Sequence, residues 1–344
     1  MKNYYYVTAN TAKGFLNLLP SNIEGLQQVI SLKHPSQKVK AKILRQLVLK
    51  YESSTNTVEV LKSALGEDYL DGVVIRKKGI AFLNDSIVPS DMDGVIELDL
   101  SHFTLKTSVK NTIQNENFKH HTEKAYKDFE TGLRIHDDLE EIYIKEMHFE
   151  KADEMADRFI QERLQGQPKK TRDAHEYHRL FGTTTVDGPV NIIPHITENL
   201  SHVFYVKGRA GTGKSTFMKK VVSACIEHGY DTEIYHCSFD PNSLDMVLVP
   251  DLHFCLFDST DPHEFFPTKE NEEVIDLYEG AVTPGTDEKY ADEINKVNDH
   301  YKSYMKKGVV ELKKAGEYLE ELEQQYSVTE QEQKEILKFI GEKV

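Results

Sequence analysis

Gly208-Arg209-Ala210-Gly211-Thr212-Gly213-Lys214-Ser215 decides how the rest of this 344-residue chain is read. It fits G-x-x-x-x-G-K-[ST], a loop whose backbone N–H groups cradle phosphate oxygens. Its flanks supply the context such a loop needs. Val203-Phe204-Tyr205-Val206 is a short apolar run suited to a fully buried strand. After the loop, Phe217, Met218, Val221, Val222, Cys225 and Ile226 fall on one helical face, and Gly229 stands where that helix should stop. The glycines therefore lie in a strand-to-helix turn, where an anion meets free N–H groups and the positive end of the helix dipole. Residues Gly208 to Thr216 are the expected phosphate contacts. Lys214 is placed to reach the β- and γ-phosphates, and the Ser215 hydroxyl to ligate Mg²⁺.

A phosphate loop needs a second anchor for the metal, usually a carboxylate closing an apolar strand. Phe254-Cys255-Leu256-Phe257-Asp258 supplies one, so Ser215 and Asp258 form the expected metal pair, with Lys214 and Asp258 in catalytic roles. A Glu directly after such an Asp often polarises the attacking water; here the position is Ser259. Asp240, Asp261, His263 and Glu264 are the other candidates for a base. Asp240 follows the strand-like Glu233–Cys237 and should emerge at the same sheet edge as the loop, placed to accept a proton from a substrate hydroxyl. Asp240-Pro241-Asn242 is equally ordinary turn chemistry. No arginine follows Arg209, so any arginine finger must come from the first half, from Arg209 or from another chain. Lys302, Lys306 and Lys307 would act only as point charges. The histidines and cysteines of His236-Cys237 and His253 to Cys255 alternate along core strands and do not read as a zinc site. His175 and His178, three apart, read as surface.

Composition limits the alternatives. The length suits two domains, and 39% hydrophobic with 29% charged residues describes an ordinary soluble protein. No signal peptide or membrane-length apolar run is seen, and Cys225, Cys237 and Cys255 form no CxxC, so a cytoplasmic protein with reduced thiols is expected. The formal charge is −15, and residues 261–344 hold 21 Asp+Glu against 11 Lys. Such a surface repels a phosphate backbone, which excludes nucleic acid as the main partner.

The chain also matches itself. Shifted by 174 residues, Thr11, Gly14, Asn17, Pro20, Glu24, Leu26, Val29 and Lys33 fall on Thr185, Gly188, Asn191, Pro194, Glu198, Leu200, Val203 and Lys207. Further on, Lys40, Glu59 and Asp71 fall on Lys214, Glu233 and Asp245. The copies diverge where the chemistry should be: His34, Gln37 and Val39 replace the three glycines, Ala41 replaces Ser215, and Asn84 replaces Asp258. Lys40 alone is kept and reads as a surface lysine. The first copy is a degenerate pseudo-domain over 1–165, joined through 166–180 to a second domain over 181–344. Helix formers extend each copy, from Phe118 to Leu164 and from Ala291 to Tyr326, matching at a shift of 180. Both read as antiparallel helical hairpins with charged outer faces. A final helix should start at the capping box Thr329–Glu332 and run to about Ile340.

The runs Thr185-Val186-Asp187-Gly188-Pro189, Gly208–Ser215, His236 to Asp245 and Phe257-Asp258-Ser259-Thr260-Asp261-Pro262-His263-Glu264 resemble a group of bacterial tandem-duplicated P-loop proteins, loosely described as ATPases or nucleotide-kinase-like. The resemblance covers the whole chain, although members often carry a second intact loop where this one has His34–Ala41. It implies an α/β protein of two duplicated three-layer P-loop NTPase-like domains, each with a helical hairpin, binding ATP with Mg²⁺. The expected function is slow or partner-stimulated ATP hydrolysis at a single site in the second half. A kinase using Asp240 as base and a non-enzymatic nucleotide-sensing scaffold are the alternatives. The substrate, any protein partner and the oligomeric state stay open.

Overall fold

The computed structural model describes residues 2–53, 57–104 and 112–344. The first half runs β1 (Lys2–Tyr6), β2 (Thr8–Thr11), β3 (Gly14–Asn17), α1 (Leu19–Ile23), β4 (Gln28–Lys33), α2 (Gln37–Glu52), β5 (Val58–Lys62), β6 (Leu70–Ile75), β7 (Ile80–Asn84), β8 (Val95–Asp99), α3 (Thr112–Ile144) and α4 (Phe149–Leu164). The second runs β9 (Glu176–Arg179), β10 (Gly182–Thr185), β11 (Gly188–Asn191), α5 (Ile193–Thr197), β12 (His202–Lys207), α6 (Lys214–Glu227), β13 (Thr232–His236), β14 (Leu244–Val249), β15 (Phe254–Asp258), β16 (Glu272–Asp276), α7 (Leu277–Ala281), α8 (Thr286–Lys289), α9 (Ala291–Glu323) and α10 (Glu330–Gly341).

Two six-stranded mixed sheets repeat one plan. Their orders are β1-β5-β6-β7-β4-β8 and β9-β13-β14-β15-β12-β16, and in each only the third strand runs antiparallel to the others. Each strand from β1 to β7 begins 174 residues before its counterpart. Even the register irregularity recurs, between Leu61 and Lys62 and between Tyr235 and His236. Beyond β7 the offset grows, to 177 for β8 and β16 and to the 180 read from the sequence for the long helices, where Leu139, Glu140, Glu141 and Tyr143 share the burial of Leu319, Glu320, Glu321 and Glu323. Glu176–Arg179, within the stretch expected to link the halves, is instead the edge strand β9.

Three-layer domains were expected; the layers are four. Alternate residues of each strand face helices on one side and the other sheet on the other. Ile30, Leu32, Val73 and Phe82 pack under α2, and Phe204, Val206, Val247 and Leu256 under α6. Between the sheets lie Tyr5, Leu61, Val74 and Leu83 against Tyr205, Tyr235, Met246 and Phe257. The halves therefore share one core. A strand buried on both faces reads as a continuous apolar run whatever covers it, so the sequence held no sign of a sheet in place of a helix.

The helical hairpins are corrected for a related reason. α3 pairs antiparallel with α9 of the other half: His121 meets Glu311, Phe129 meets Gly308, and Leu139 and Ile142 cluster with Ile294 and Val297. The shorter helices cross over as well. Ala156 and Phe159 of α4 join the core under the second sheet, and Ile336 and Ile340 of α10 join the core under the first. Each apolar helical face is filled, but by the opposite half. The Thr329–Glu332 capping box forms as read.

Counterparts meet near the pseudo-twofold between the halves, and there the copies differ. Arg179 stacks on its counterpart Tyr5, with 3.8 Å from guanidinium to ring centroid. Its nitrogens reach Glu233 at 2.8 Å and Glu59 at 3.4 Å, which are themselves counterparts. Arg76 also grips Glu59, at 2.7 and 2.9 Å. Two arginines here would repel, so a Tyr–Arg pair between two glutamates suits the axis. On the helices, a Cβ on Gly308 would lie 2.3 Å from the ring of Phe129, so the small residue of one helix makes room for the large one of the other. Among the described residues no helix is long and apolar enough to cross a membrane, and Cys225 and Cys255 are buried thiols.

Candidate functional site

The run Val203–Val206 becomes β12, buried between β15 and β16, and it delivers the glycine loop to the N-terminus of α6. Gly213 caps that helix in the left-handed region (φ 82°), and among the described residues no side chain caps the first turn. Gly211 (φ 72°) has no room for a side chain, because a Cβ would sit 2.6 Å from the carbonyl oxygen of Glu140. The loop is braced from within: the Thr212 hydroxyl donates to the Arg209 carbonyl at 2.8 Å, and Lys214 Nζ donates to the same oxygen at 2.7 Å. Lys214 Nζ also lies 3.6 Å from Asp258 Oδ2, so β15 does bring its terminal carboxylate to the loop lysine. Thr260 Oγ1 donates to Asp258 Oδ1 at 2.6 Å, and the Leu244 N–H donates to Ser215 Oγ at 2.9 Å.

Around the loop is a cavity of about 1120 Å³, larger than the roughly 300–1,000 Å³ of an ordinary small-molecule pocket. Gly208 to Thr216, Asp240, Asp258, Asp261 and His263 all line it. Asp240 is both a turn former, accepting from the Asn242 N–H at 3.2 Å, and the partner of Lys13 at 3.1 Å. Asp261 is paired with Lys302 at 2.7 Å. Glu264 is turned to Lys207, at 3.0 Å, and is not among the lining residues. Ser259 is buried and locked, its hydroxyl donating to the Phe265 carbonyl and accepting from the Phe265 N–H. Arg209 turns to Asp287, at 2.8 and 3.1 Å, and lies over Tyr278.

Sequence reasoning missed two groups. One is Asp245, buried on β14 beside Asp258, with His263 Nε2 3.9 Å away. Burial, then the Asp258 charge, pushes its carboxyl well above the ordinary range, while burial lowers His263. The register match of Asp71 with Asp245 was the signal available. The other comes from the first half: His136, Asp137 and Glu140 of α3 line the cavity, and Lys13 of the β2–β3 hairpin pairs with Asp240 in its wall. Burial lowers His136, with the Lys214 charge adding to it; burial raises Asp137 and Glu140, with neighbouring carboxylates adding to it. No local pattern marks these residues. His178, expected at the surface, is half-buried on β9 and shares a 2.8 Å hydrogen bond with His236.

The matching place in the first half is closed. Gln37, counterpart of Gly211, already begins α2, so the loop has become a helical turn capped by Ser36. The Glu323 carboxylate, from the last residue of α9, sits on that turn and accepts from the Ser36 hydroxyl, from Gln37 N at 2.7 Å and from Lys38 N at 3.1 Å. His34 bonds Thr104 at 3.0 Å, and Asn84, counterpart of Asp258, donates to Gln37 at 2.6 Å. Lys40 is a correction: it is 1% exposed and ion-paired with Asp85.

Among the described residues no three His, Cys, Asp or Glu side chains converge as a metal cage. Comparison with family models, with curated proteins and with solved structures returned no match.

Proposed function

We propose that the second half is a P-loop NTPase site binding one Mg-ATP, with hydrolysis that is slow or raised by a partner, in a chain related to the tandem-duplicated P-loop proteins. One observation carries this reading: the first turn of α6 is uncapped, in a loop with left-handed glycines and Lys214 and Asp258 at its side. Those free N–H groups and the helix dipole hold an anion at low cost in reorganisation. Lys214, now bonded to the Arg209 carbonyl, has a stronger acceptor in a phosphate oxygen. Mg²⁺ needs only one or two protein oxygens when phosphates and water complete its shell, so Ser215 and Asp258 suffice to hold it there. Its charge would neutralise the β- and γ-phosphate oxygens.

Asp258→Ala and Ser215→Ala should each weaken ATP binding in Mg²⁺ more than in a chelator, read by thermal shift. Equal ATP shifts in both variants and the unaltered chain, with Mg²⁺ present, would remove these two residues from the metal site.

The same geometry argues for slow turnover. Ser259 is locked in its own turn, and Arg209, which is turned to Asp287, is the one arginine lining the cavity among the described residues. Basal phosphate release by the purified chain should fall below about 1 s⁻¹, the low end for enzymes. Brisk turnover without a partner would mean that a cavity lysine or Asp245 supplies the missing charge. The cavity's excess volume and the placement of Asp240 favour a kinase as the second reading. Turnover that appears only with a hydroxylic acceptor and vanishes in Asp240→Asn would select it.

A further inference from the structure

We propose that Glu323 is a built-in ligand: its carboxylate occupies an anion site at the N-terminus of α2, and so fixes α9 as a wall of the second-half cavity. The site occupied is the register counterpart of the glycine loop. Where Ala210, Gly211 and Thr212 stand in the second half, Ser36, Gln37 and Lys38 present one hydroxyl and two backbone N–H groups, and all three donate to the same carboxylate. Three donors at a helix N-terminus are what a bound anion receives. The occupant is itself 5% exposed. Its neighbour Glu320 is clasped from the same side, by Lys38 at 2.7 Å and Tyr69 at 2.8 Å.

The two copies differ in this one feature in the direction the proposal requires. By the 180-residue offset of the long helices, the counterpart of Glu323 is Tyr143, buried in the cluster that packs against Ala210, and it brings no carboxylate to the glycine loop. The second half therefore leaves its anion site to an outside ligand, while the first carries its own. The consequence follows from the length of α9. It is one unbroken helix from Ala291 to Glu323, and Tyr301, Lys302, Met305 and Lys306 near its other end line the cavity. Roughly 30 Å of helix separates the two, at about 1.5 Å per residue. A helix pinned at one end by a buried, charge-assisted contact holds its far side chains in register with the loop.

Glu323→Ala in the full chain opens the site, and formate is the probe because it is a bare carboxylate. The melting temperature should fall by about 2–6 °C. Formate should restore at least half of that fall, relative to chloride at matched ionic strength. The unaltered chain and Glu323→Gln, whose side chain still fills the space, should not respond. Should Glu323→Ala fail to fold, Glu323→Gln decides on its own, since loss of the charge alone should lower the melting temperature. An unchanged melting temperature in Glu323→Gln, or formate stabilising all three proteins alike, would overturn the ligand role.

The second clause of the proposal rests on the second half binding ATP. ATP affinity in Glu323→Ala should fall about three- to tenfold and recover with formate, within the usual range of coupling between sites. Formate rescue of stability with ATP affinity untouched would overturn the positioning role and leave the ligand role standing. Formate rescue in a chain that binds no ATP at all would instead refute the nucleotide reading.

Discussion

Lys214→Ala should lose ATP affinity and Lys40→Ala should lose stability, although the two lysines hold the same place in the repeat. Removing Lys214 deletes a charge-assisted contact to the β- and γ-phosphates, typically about 1.5–3 kcal/mol. That is roughly a ten- to hundredfold weaker binding constant. Lys40 has no anion to reach, because the turn beside it is occupied by Glu323 and its own ammonium is paired with Asp85. Its burial lowers its affinity for protons, with the bond and charge of Asp85 opposing. Lys40→Ala strands Asp85, whose side chain is 29% exposed. The cost should be about 2–3 kcal/mol, below the roughly 3–5 of a wholly buried pair, because Asp85 keeps some contact with water. Titration calorimetry should return one ATP per chain for Lys40→Ala at near-normal affinity, and denaturant unfolding should show the loss. Two ATP per chain, or equal affinity losses in the two variants, would restore a symmetric two-site protein.

The largest loss of stability should come from Arg179→Leu. Arg179 is 5% exposed and its guanidinium contacts Glu59, Glu233 and Asn22 while lying on Tyr5. Leucine fills part of the volume and leaves two glutamates facing each other across the shared core. Removing one partner of a buried ion pair costs about 3–5 kcal/mol, and Arg76 retains part of the compensation for Glu59. We therefore expect about 3 kcal/mol at neutral pH. The pH dependence has a definite sign. Burial pushes the Glu59 carboxyl up, but hydrogen bonds from Arg76 and the charges of Arg179 and Arg76 outweigh it and hold it below its ordinary value. Its contribution is therefore full above the unfolded carboxylate pKa and is lost as pH falls through the folded one. Without Arg179 the folded value rises, so the difference between variant and unaltered chain should shrink as pH drops towards about 4.5, where carboxylates protonate. Denaturant unfolding at the two pH values measures it. A difference that grows on acidification would mean that Arg179 does not hold Glu59 ionised.

The strand, the glycine turn and the helix over Val203–Gly229 were legible in the sequence, as was the carboxylate ending Phe254–Asp258. Each depends on residues within a turn or two: a short apolar run, glycines at left-handed positions, apolar residues at helical spacing. The repeat was legible for the same reason, since both copies carry those local patterns at one offset. The sequence also determined that the first copy lacks the glycines and that Ala41 and Asn84 stand where Ser215 and Asp258 do. What covers each apolar face was decided only in three dimensions. The faces of α4 and α10 announce burial but not the half that buries them, and a doubly buried strand reads alike under a helix or a second sheet. Charged side chains hide their role more completely. Lys40, Arg179 and Glu323 look like surface residues, because a charge is buried only when a partner far along the chain meets it. His136 and Glu140 reach the glycine loop, and Lys13 reaches Asp240, from the other half by the same long-range pairing. Local chemistry therefore wrote the loop, and its loss from the first copy, into the sequence, whereas the tertiary fold decided what fills the place that the first copy lost.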